Sequence, residues 1–65
     1  MLVWDFVDMC TQDDIEIELW NCGTNEDTVV NINDLRNDPD LDHFLRADME
    51  SWDINNGRIC INYSE

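Results

Sequence analysis

The alternation of apolar and polar residues over positions 15–20 constrains the fold of this chain more than any other feature of its sequence. Ile17 and Leu19 fall on one side of an extended backbone, and Glu16 and Glu18 fall on the other. A period of two is typical of a strand with one face in a core and one face outside it. The segment therefore predicts a sheet with one apolar face that other elements must cover.

Two hairpins are predicted around this strand. A polar connection over 21–27 leads to a β-branched run over 28–32, which can pair back on the first strand across a long loop. A second hairpin is predicted over 50–63, because the dipeptide Asn56-Gly57 is a strong signal for a two-residue turn between strands. The chain thus offers three or four strands.

Two short helices complete the prediction. Apolar residues recur at i, i+3, i+4 and i+7 over 3–10, the spacing of one helical stripe. The second helix begins with Asn37 or Asp38 as its N-cap and Pro39 near its first position, and it ends near Asp48. Helices this short do not persist alone in water, so both must pack on the sheet.

The order α-β-β-α-β-β predicts a single α+β domain over residues 1–65, with an antiparallel sheet and both helices on one face. The predicted core consists of Phe6, Val7, Ile15, Ile17, Leu19, Val30, Ile32, Leu41, Phe44, Leu45, Ile59 and Ile61. The opposite, uncovered face is predicted to carry Glu16, Glu18, Trp20, Asn31 and Asn62.

The charge of the chain limits its partners. Sixteen acidic residues stand against three arginines, there is no lysine, and the net charge is -13. A chain with no basic patch repels nucleic acid and anionic membrane surfaces, so neither is expected as a direct partner. The first residues lack the pattern of a signal peptide, and the three cysteines form an odd set. Both features predict a cytoplasmic protein.

No catalytic, metal or cofactor site is expected. Asp38, Asp40 and Asp42 are spaced like the opening of a calcium-binding loop, but His43 stands where that loop requires glycine. The acidic run is therefore interpreted as a helix start. None of the cysteines forms a C-x-x-C pair, and nothing in the sequence orients a thiol and a base together. Cysteines are interpreted as small buried residues, and enzymatic activity is not expected.

The acidic excess goes beyond what solubility requires in a small domain, and this suggests a basic protein surface as the partner. Glu16 and Glu18 would lie about 6.6 Å apart along a strand, a separation comparable with that of neighbouring phosphates of DNA. Trp20 shares their face, and tryptophan is enriched at binding hot spots. The predicted partner-binding residues are Asp13, Asp14, Glu16, Glu18, Trp20, Glu26 and Asp27.

The chain also resembles a group of short acidic proteins encoded by gut Firmicutes and their phages and mobile elements. Four segments carry the resemblance: VWDFVDMC (3–10), IEIELWNC (15–22), SWD (51–53) and ICIN (59–62). It implies no catalytic residue. It does imply a context in which small acidic proteins often inhibit host defence, as anti-CRISPR proteins do.

These observations lead to one hypothesis and two alternatives. The hypothesis is a non-enzymatic inhibitor of a nucleic-acid-dependent defence enzyme, a nuclease or CRISPR effector, whose basic groove it occupies as a nucleic-acid mimic. The first alternative is a non-inhibitory interaction module that forms a homodimer through the uncovered sheet face. The second is a metal-stabilised domain.

Overall fold

A computed structural model describes residues 1–64, and it confirms an α+β fold with four strands and short helices. The alternating segment forms β1, and its apolar side faces the helices. The elements in chain order are α1 (Val3–Met9), β1 (Glu16–Asn21), β2 (Glu26–Asn31), α2 (Ile32–Asn37), a 3₁₀ turn (Pro39–Leu41), α3 (Asp42–Leu45), β3 (Asp48–Asn55) and β4 (Arg58–Ser64).

The sheet is mixed, so the prediction of a wholly antiparallel sheet is wrong. Its strand order is β2-β1-β4-β3, with β1 antiparallel to β2 but parallel to β4. The segment between β2 and β3 carries the chain to the far edge, and the β3–β4 hairpin then returns β4 into the gap beside β1. In that register Ile17 pairs with Ile59 and Leu19 with Ile61, which joins two apolar rows on one face.

The element order also contains a helix that the sequence analysis missed. Ile32 was expected in the second strand, but β2 ends at Asn31 and Ile32 is the first residue of α2. The Asn31 side chain accepts a hydrogen bond from the backbone N–H of Asn33 at 2.9 Å and so caps the helix. Ile32 and Leu35, one turn apart, are both fully buried, and this i, i+3 pair anchors α2 to the core.

The second predicted helix begins as expected and ends earlier. Asp38 is the N-cap, and its side chain accepts from the backbone N–H of Asp40 at 2.9 Å, with Pro39 at the first position. The helix ends at Leu45, not near Asp48, because Asp48 already pairs with Ser64 as the first residue of β3. The strand therefore starts two residues before Glu50, which the sequence analysis predicted as its first residue.

Both hairpin turns depend on residues with positive φ. The first loop is shorter than predicted, since it spans only 22–25, and Asn25 has a φ of 60°. The second turn is the expected Asn56-Gly57 pair, with φ values of 53° and 74°. Positive φ at both central positions is characteristic of the type I′ turn, whose twist matches that of the flanking strands. The prediction of this tight hairpin is confirmed.

The core lies between the helices and one face of the sheet, here called the covered face. Most predicted core residues belong to it, with Phe6, Ile15, Val30, Leu41 and Ile59 half-buried at its margin. Four buried members were not in the predicted set: Val3, Leu35, Ala47 and Tyr63. Full burial of an aliphatic side chain is worth about 1.5–3 kcal/mol, so this one layer carries most of the folding free energy.

Candidate functional site

The candidate site is the sheet face opposite the core, here called the open face, which none of the described helices covers. Directly paired residues point to the same side of a sheet, so the register defines its members. In the middle row, Glu18 pairs with Cys60, and Cys60 pairs with Asp53. The open face comprises Glu16, Glu18, Trp20, Asp27, Val29, Asn31, Asp48, Ser51, Asp53, Asn55, Arg58, Cys60, Asn62 and Ser64. The residues placed on the uncovered face from the alternation all belong to it.

The two glutamates of β1 share a single cation on the open face. Nη2 of Arg58 lies 3.2 Å from Oε1 of Glu16, and Nη1 lies 3.5 Å from Oε1 of Glu18. The Arg58 side chain is only one-third exposed, and that of Glu18 is 15% exposed. A guanidinium between two carboxylates neutralises part of their charge, so Glu16 and Glu18 do not present a free pair of phosphate-like charges.

Sequence reasoning missed Arg58, although a signal for it was present. Cys60 and Asn62 were placed on the uncovered face by strand alternation, and Arg58 precedes Cys60 by two residues in the same strand. A period of two therefore places all three side chains on one face. Parallel pairing of β4 with β1 then brings Arg58 beside Glu16, which the expected antiparallel arrangement did not indicate.

Asp13 and Asp14 lie before β1 and serve the fold. The carboxylate of Asp13 forms an ion pair with Nη1 of Arg36 at 3.0 Å. The same guanidinium donates through Nη2 to the backbone oxygens of Val7 and Cys10, at the C-terminal end of α1. Asp14 has a φ of 58° and accepts a hydrogen bond from Nδ2 of Asn31 at 2.9 Å. These two carboxylates position the turn that connects α1 to β1.

Trp20, Glu26 and Asp27 lie at the other end of β1. Trp20 pairs with Asp27 across the β1–β2 hairpin and is half-buried. Glu26 and Asp27 are both exposed, but Glu26 pairs with the buried Asn21 and therefore points to the covered side, away from Trp20. Glu16 and Trp20 are separated by about 13 Å at the usual rise of a strand. The predicted partner-binding residues therefore do not form a compact cluster. Within the described residues, Asp27 is the predicted carboxylate that lies beside Trp20 on the open face without an ion pair.

Cys60 occupies the centre of the open face. Only 8% of it is exposed, and its Sγ lies 3.9 Å from Oε2 of Glu18, to which the thiol donates. Burial raises the pKa of the Cys60 thiol, and the charges of Glu18, Asp27 and Asp53 and the hydrogen bond to Glu18 raise it further. The thiol is therefore protonated at neutral pH and is a poor nucleophile.

An open depression of about 520 Å³ lies above Cys60. Its floor is polar, because Nδ2 of Asn62 donates to Oγ of Ser51 at 2.9 Å and to Oδ2 of Asp53 at 3.3 Å. The residues that line it are Glu18, Trp20, Asp53, Ile54, Asn55, Cys60 and Asn62. Carboxylates, amides and an aromatic wall suit a shallow contact with a cationic side chain.

The acidic run at the 3₁₀ turn has the structural role that the sequence indicated. Asp38 caps the turn, and Asp42 forms an ion pair with Arg46 at 2.8 Å, one helical turn later. Among residues 1–64, no group of three or more histidine, cysteine or acidic side chains is arranged to hold a metal ion. Cys60 is buried and Cys10 is half-buried, whereas Cys22 is exposed, so the interpretation of the cysteines as buried or half-buried residues is wrong at Cys22.

The three tryptophans differ in their surroundings. Trp20 is half-buried on the open face, whereas Trp4 and Trp52 are 45% and 52% exposed. Trp52 stacks at a tilt on Phe6, with 5.7 Å between ring centroids. Because Trp52 pairs with Ile61, it lies on the covered side of β3, at the margin of the core. Two large apolar surfaces are thus available outside the predicted site.

In comparisons with known proteins, no family model, curated protein or solved structure matches the chain. The resemblance to acidic proteins of mobile elements stays a prediction. In the described part of the chain, no helix has the length and apolar character needed to cross a membrane.

Proposed function

We propose that this protein is a non-enzymatic inhibitor that binds the basic, nucleic-acid-binding surface of a bacterial defence enzyme, a nuclease or a CRISPR effector. It acts as a stoichiometric decoy in the cytoplasm of the host cell. Its contact surface is the Trp20 end of the open face. The observation that carries the proposal is an uncovered sheet face on which an aromatic ring lies beside unneutralised carboxylates.

The distribution of charge supports a basic partner. Each of the three arginines forms an ion pair within the described residues, so the cations are already used. Arg36 and Arg58 are also largely shielded, with 24% and 33% of their side chains exposed. The acidic excess of the chain is therefore directed outward, where it steers a cationic surface toward the protein and raises the association rate.

The ion pairs of Arg58 favour a contact at the Trp20 end of the open face. Glu16 and Glu18 are partly neutralised, whereas Asp27 forms no ion pair in the described structure and lies beside the half-buried Trp20. Tryptophan is among the residues most enriched at binding hot spots, and the rim of an interface is usually polar. The decoy surface is thus centred on the hairpin end of β1 and β2.

The test is inhibition of purified bacterial nucleases and CRISPR effectors in DNA-cleavage assays. We expect inhibition of a susceptible enzyme to saturate at one protein per enzyme, to be relieved by excess DNA, and to weaken as salt is raised. The variant Asp27→Lys reverses the charge beside Trp20 on the open face and should lose inhibition while its circular dichroism spectrum is unchanged. Trp20→Ala should also weaken inhibition, by about tenfold or more if it is a hot spot.

A matched control separates a specific contact from bulk charge. The double variant Asp8→Asn/Asp40→Asn changes the net charge by the same amount, at two exposed residues on the helical side. It should inhibit like the unmodified protein. Equal loss of inhibition in the Asp27→Lys variant and in the Asp8→Asn/Asp40→Asn variant would refute a contact at the hairpin end. Absence of inhibition across the enzyme panel would refute the decoy function.

The alternative of a homodimer through the open face is less consistent with the charges. A second copy on that face would bring further carboxylates toward Glu18, Asp27 and Asp53, and like charges in close opposition destabilise an interface. Sedimentation distinguishes the two: a monomer agrees with the decoy, and a dimer that shields Trp20 supports the interaction module.

A further inference from the structure

The edge of β3 is the second exposed feature of the molecule, and it lies outside the site proposed above. β3 is an end strand of the sheet, and within the described residues it pairs fully only with β4. Its start is covered, because Leu2 bridges to Asp48 and the N–H of Met49 donates to the carbonyl of Met1. A register irregularity between Met49 and Ser51 follows. The free edge is therefore the part over 51–55.

The turn geometry determines which backbone groups this edge presents. In a two-residue hairpin the pair next to the turn is hydrogen-bonded, and hydrogen-bonded and non-hydrogen-bonded pairs then alternate. Asn55 and Asp53 thus direct their backbone groups toward β4, while Ile54 and Trp52 direct theirs outward. No hydrogen bond outside the sheet engages either residue in the described structure.

The same two residues carry the largest exposed apolar surface of any strand. Ile54 is 63% exposed and Trp52 is 52% exposed, and both lie on the covered side, where Trp52 contacts Phe6. A long edge with outward backbone groups and exposed apolar side chains is a template for another strand. Such edges bind extended peptides by main-chain pairing, with pockets for alternate side chains.

The charges of β3 decide which strand fits. Asp53 lies on the open side of the free edge, and Asp48 and Glu50 add charge near its start. Pairing β3 with β3 of a second copy would place acidic strands side by side, and like charges across strands are destabilising. A strand with basic residues on one side and apolar residues on the other would instead place a cation beside Asp53 and apolar groups against Trp52 and Ile54.

We propose that the edge of β3 at Trp52 and Ile54 binds an extended segment of a partner protein in which basic and apolar residues alternate. The segment adds to the sheet as a fifth strand beside β3. This inference rests on the proposed function only in requiring a basic partner. It assigns main-chain pairing and apolar contacts to one edge of the sheet, which is separate from the charged contact at the hairpin end.

The test uses a synthetic ten-residue peptide of alternating Lys and Val, with amide hydrogen exchange of the full chain measured by NMR. With saturating peptide, we expect exchange at the Trp52 and Ile54 amides to slow by about tenfold or more, as new strand pairing protects them. A Lys-Val peptide in which every backbone nitrogen is methylated keeps the charge but lacks the N–H groups that pairing needs, and it should give no protection.

Matched variants complete the test. Trp52→Thr/Ile54→Thr keeps strand-forming residues and should weaken binding of the Lys-Val peptide by about tenfold or more, the loss expected from two hot-spot contacts. Val29→Thr alters an exposed residue of the other edge strand, β2, and should leave the affinity within about twofold.

Three results would overturn the inference: no binding of the Lys-Val peptide, equal binding of its backbone-methylated form, or protection that arises without peptide as the protein concentration rises, which indicates self-pairing. None of these measurements uses the Asp27→Lys variant or the cleavage assay. If the peptide does not bind the edge of β3, the test of inhibition in the cleavage assay is unaffected. If the protein inhibits no enzyme, the peptide-binding measurement at the edge of β3 can still be interpreted.

Discussion

The covered and open faces of the sheet are built from alternate residues of the same strands, yet they have opposite roles. On β1, Ile17 and Leu19 are completely buried against the helices, while Glu16 and Glu18 alternate with them on the other side. The covered face provides the apolar burial that holds the chain folded. The open face holds polar and charged groups at fixed positions without a helix above them, so it can be altered for binding at little cost to the fold.

The largest expected change in the free energy of unfolding comes from a cavity in the covered face, and it tests this comparison of the two faces. Ile17→Ala should lower the free energy of unfolding by about 2–5 kcal/mol, and Ile17→Val by about 0.5–1.5 kcal/mol, because Ile17 is fully buried. Val29→Ala, on the open face, should change it by no more than about 0.5 kcal/mol. Urea denaturation followed by circular dichroism measures all three, and a comparable loss at Val29 would contradict the assignment of stability to one face.

The next effect concerns the link between α1 and the sheet. Arg36→Met removes the donors that bind the carbonyl oxygens of Val7 and Cys10, so the free energy of unfolding should fall by about 1–3 kcal/mol. Asp13→Asn removes only an exposed ion pair and should cost at most about 1 kcal/mol. Equal losses in the two variants would show that Arg36 acts through its charge and not through the end of α1.

A smaller effect is expected at the cation of the open face. Arg58→Met leaves Glu16 and Glu18 unpaired and close together, and it should destabilise the fold by about 1 kcal/mol at low salt. The loss should shrink as salt screens the repulsion. Glu16→Gln in the Arg58→Met background should recover part of it. A loss that does not depend on salt would indicate that the Arg58 stem acts by packing.

The smallest effect is the titration of Cys60. Its pKa is raised in the folded protein, so its contribution to stability is complete below the ordinary thiol pKa of about 8.5 and is lost as pH rises through the raised value. Unfolding measured from pH 7 to 10 should show a decline that Cys60→Ala reduces. A thiol-modifying reagent at neutral pH should label the exposed Cys22 well before Cys60. Equal labelling rates would contradict a buried, protonated Cys60.

Much of the local structure was predictable because its signals lie within a few residues. The alternation around Ile17 specifies a strand and its buried side, and Asn56-Gly57 specifies a tight turn. Asp38 and Pro39 mark a helix start. The missed helix α2 also had a local signal, since Asn31 is a good N-cap and Ile32 and Leu35 are spaced one turn apart. A β-branched run before them favoured the strand interpretation instead.

The candidate site was predictable only in part, because its chemistry depends on neighbours from distant parts of the chain. Strand alternation placed Glu16, Glu18 and Trp20 on one face correctly. It did not indicate that Arg58 would lie between the two glutamates, since that contact spans more than half of the chain and requires parallel pairing. The charged surface available to a partner is consequently displaced toward Asp27.

By itself, the sequence determined which segments are strands or helix starts, which side of each strand is apolar, and that the surface is strongly acidic. Those properties follow from short-range periodicity, turn chemistry and composition. The tertiary structure alone decided that β4 lies parallel to β1, that Arg58 neutralises part of the acidic face, and that Trp52 and Ile54 stand exposed on an edge. Strand order and side-chain neighbours depend on how distant segments pack together, and no short stretch of sequence encodes that packing.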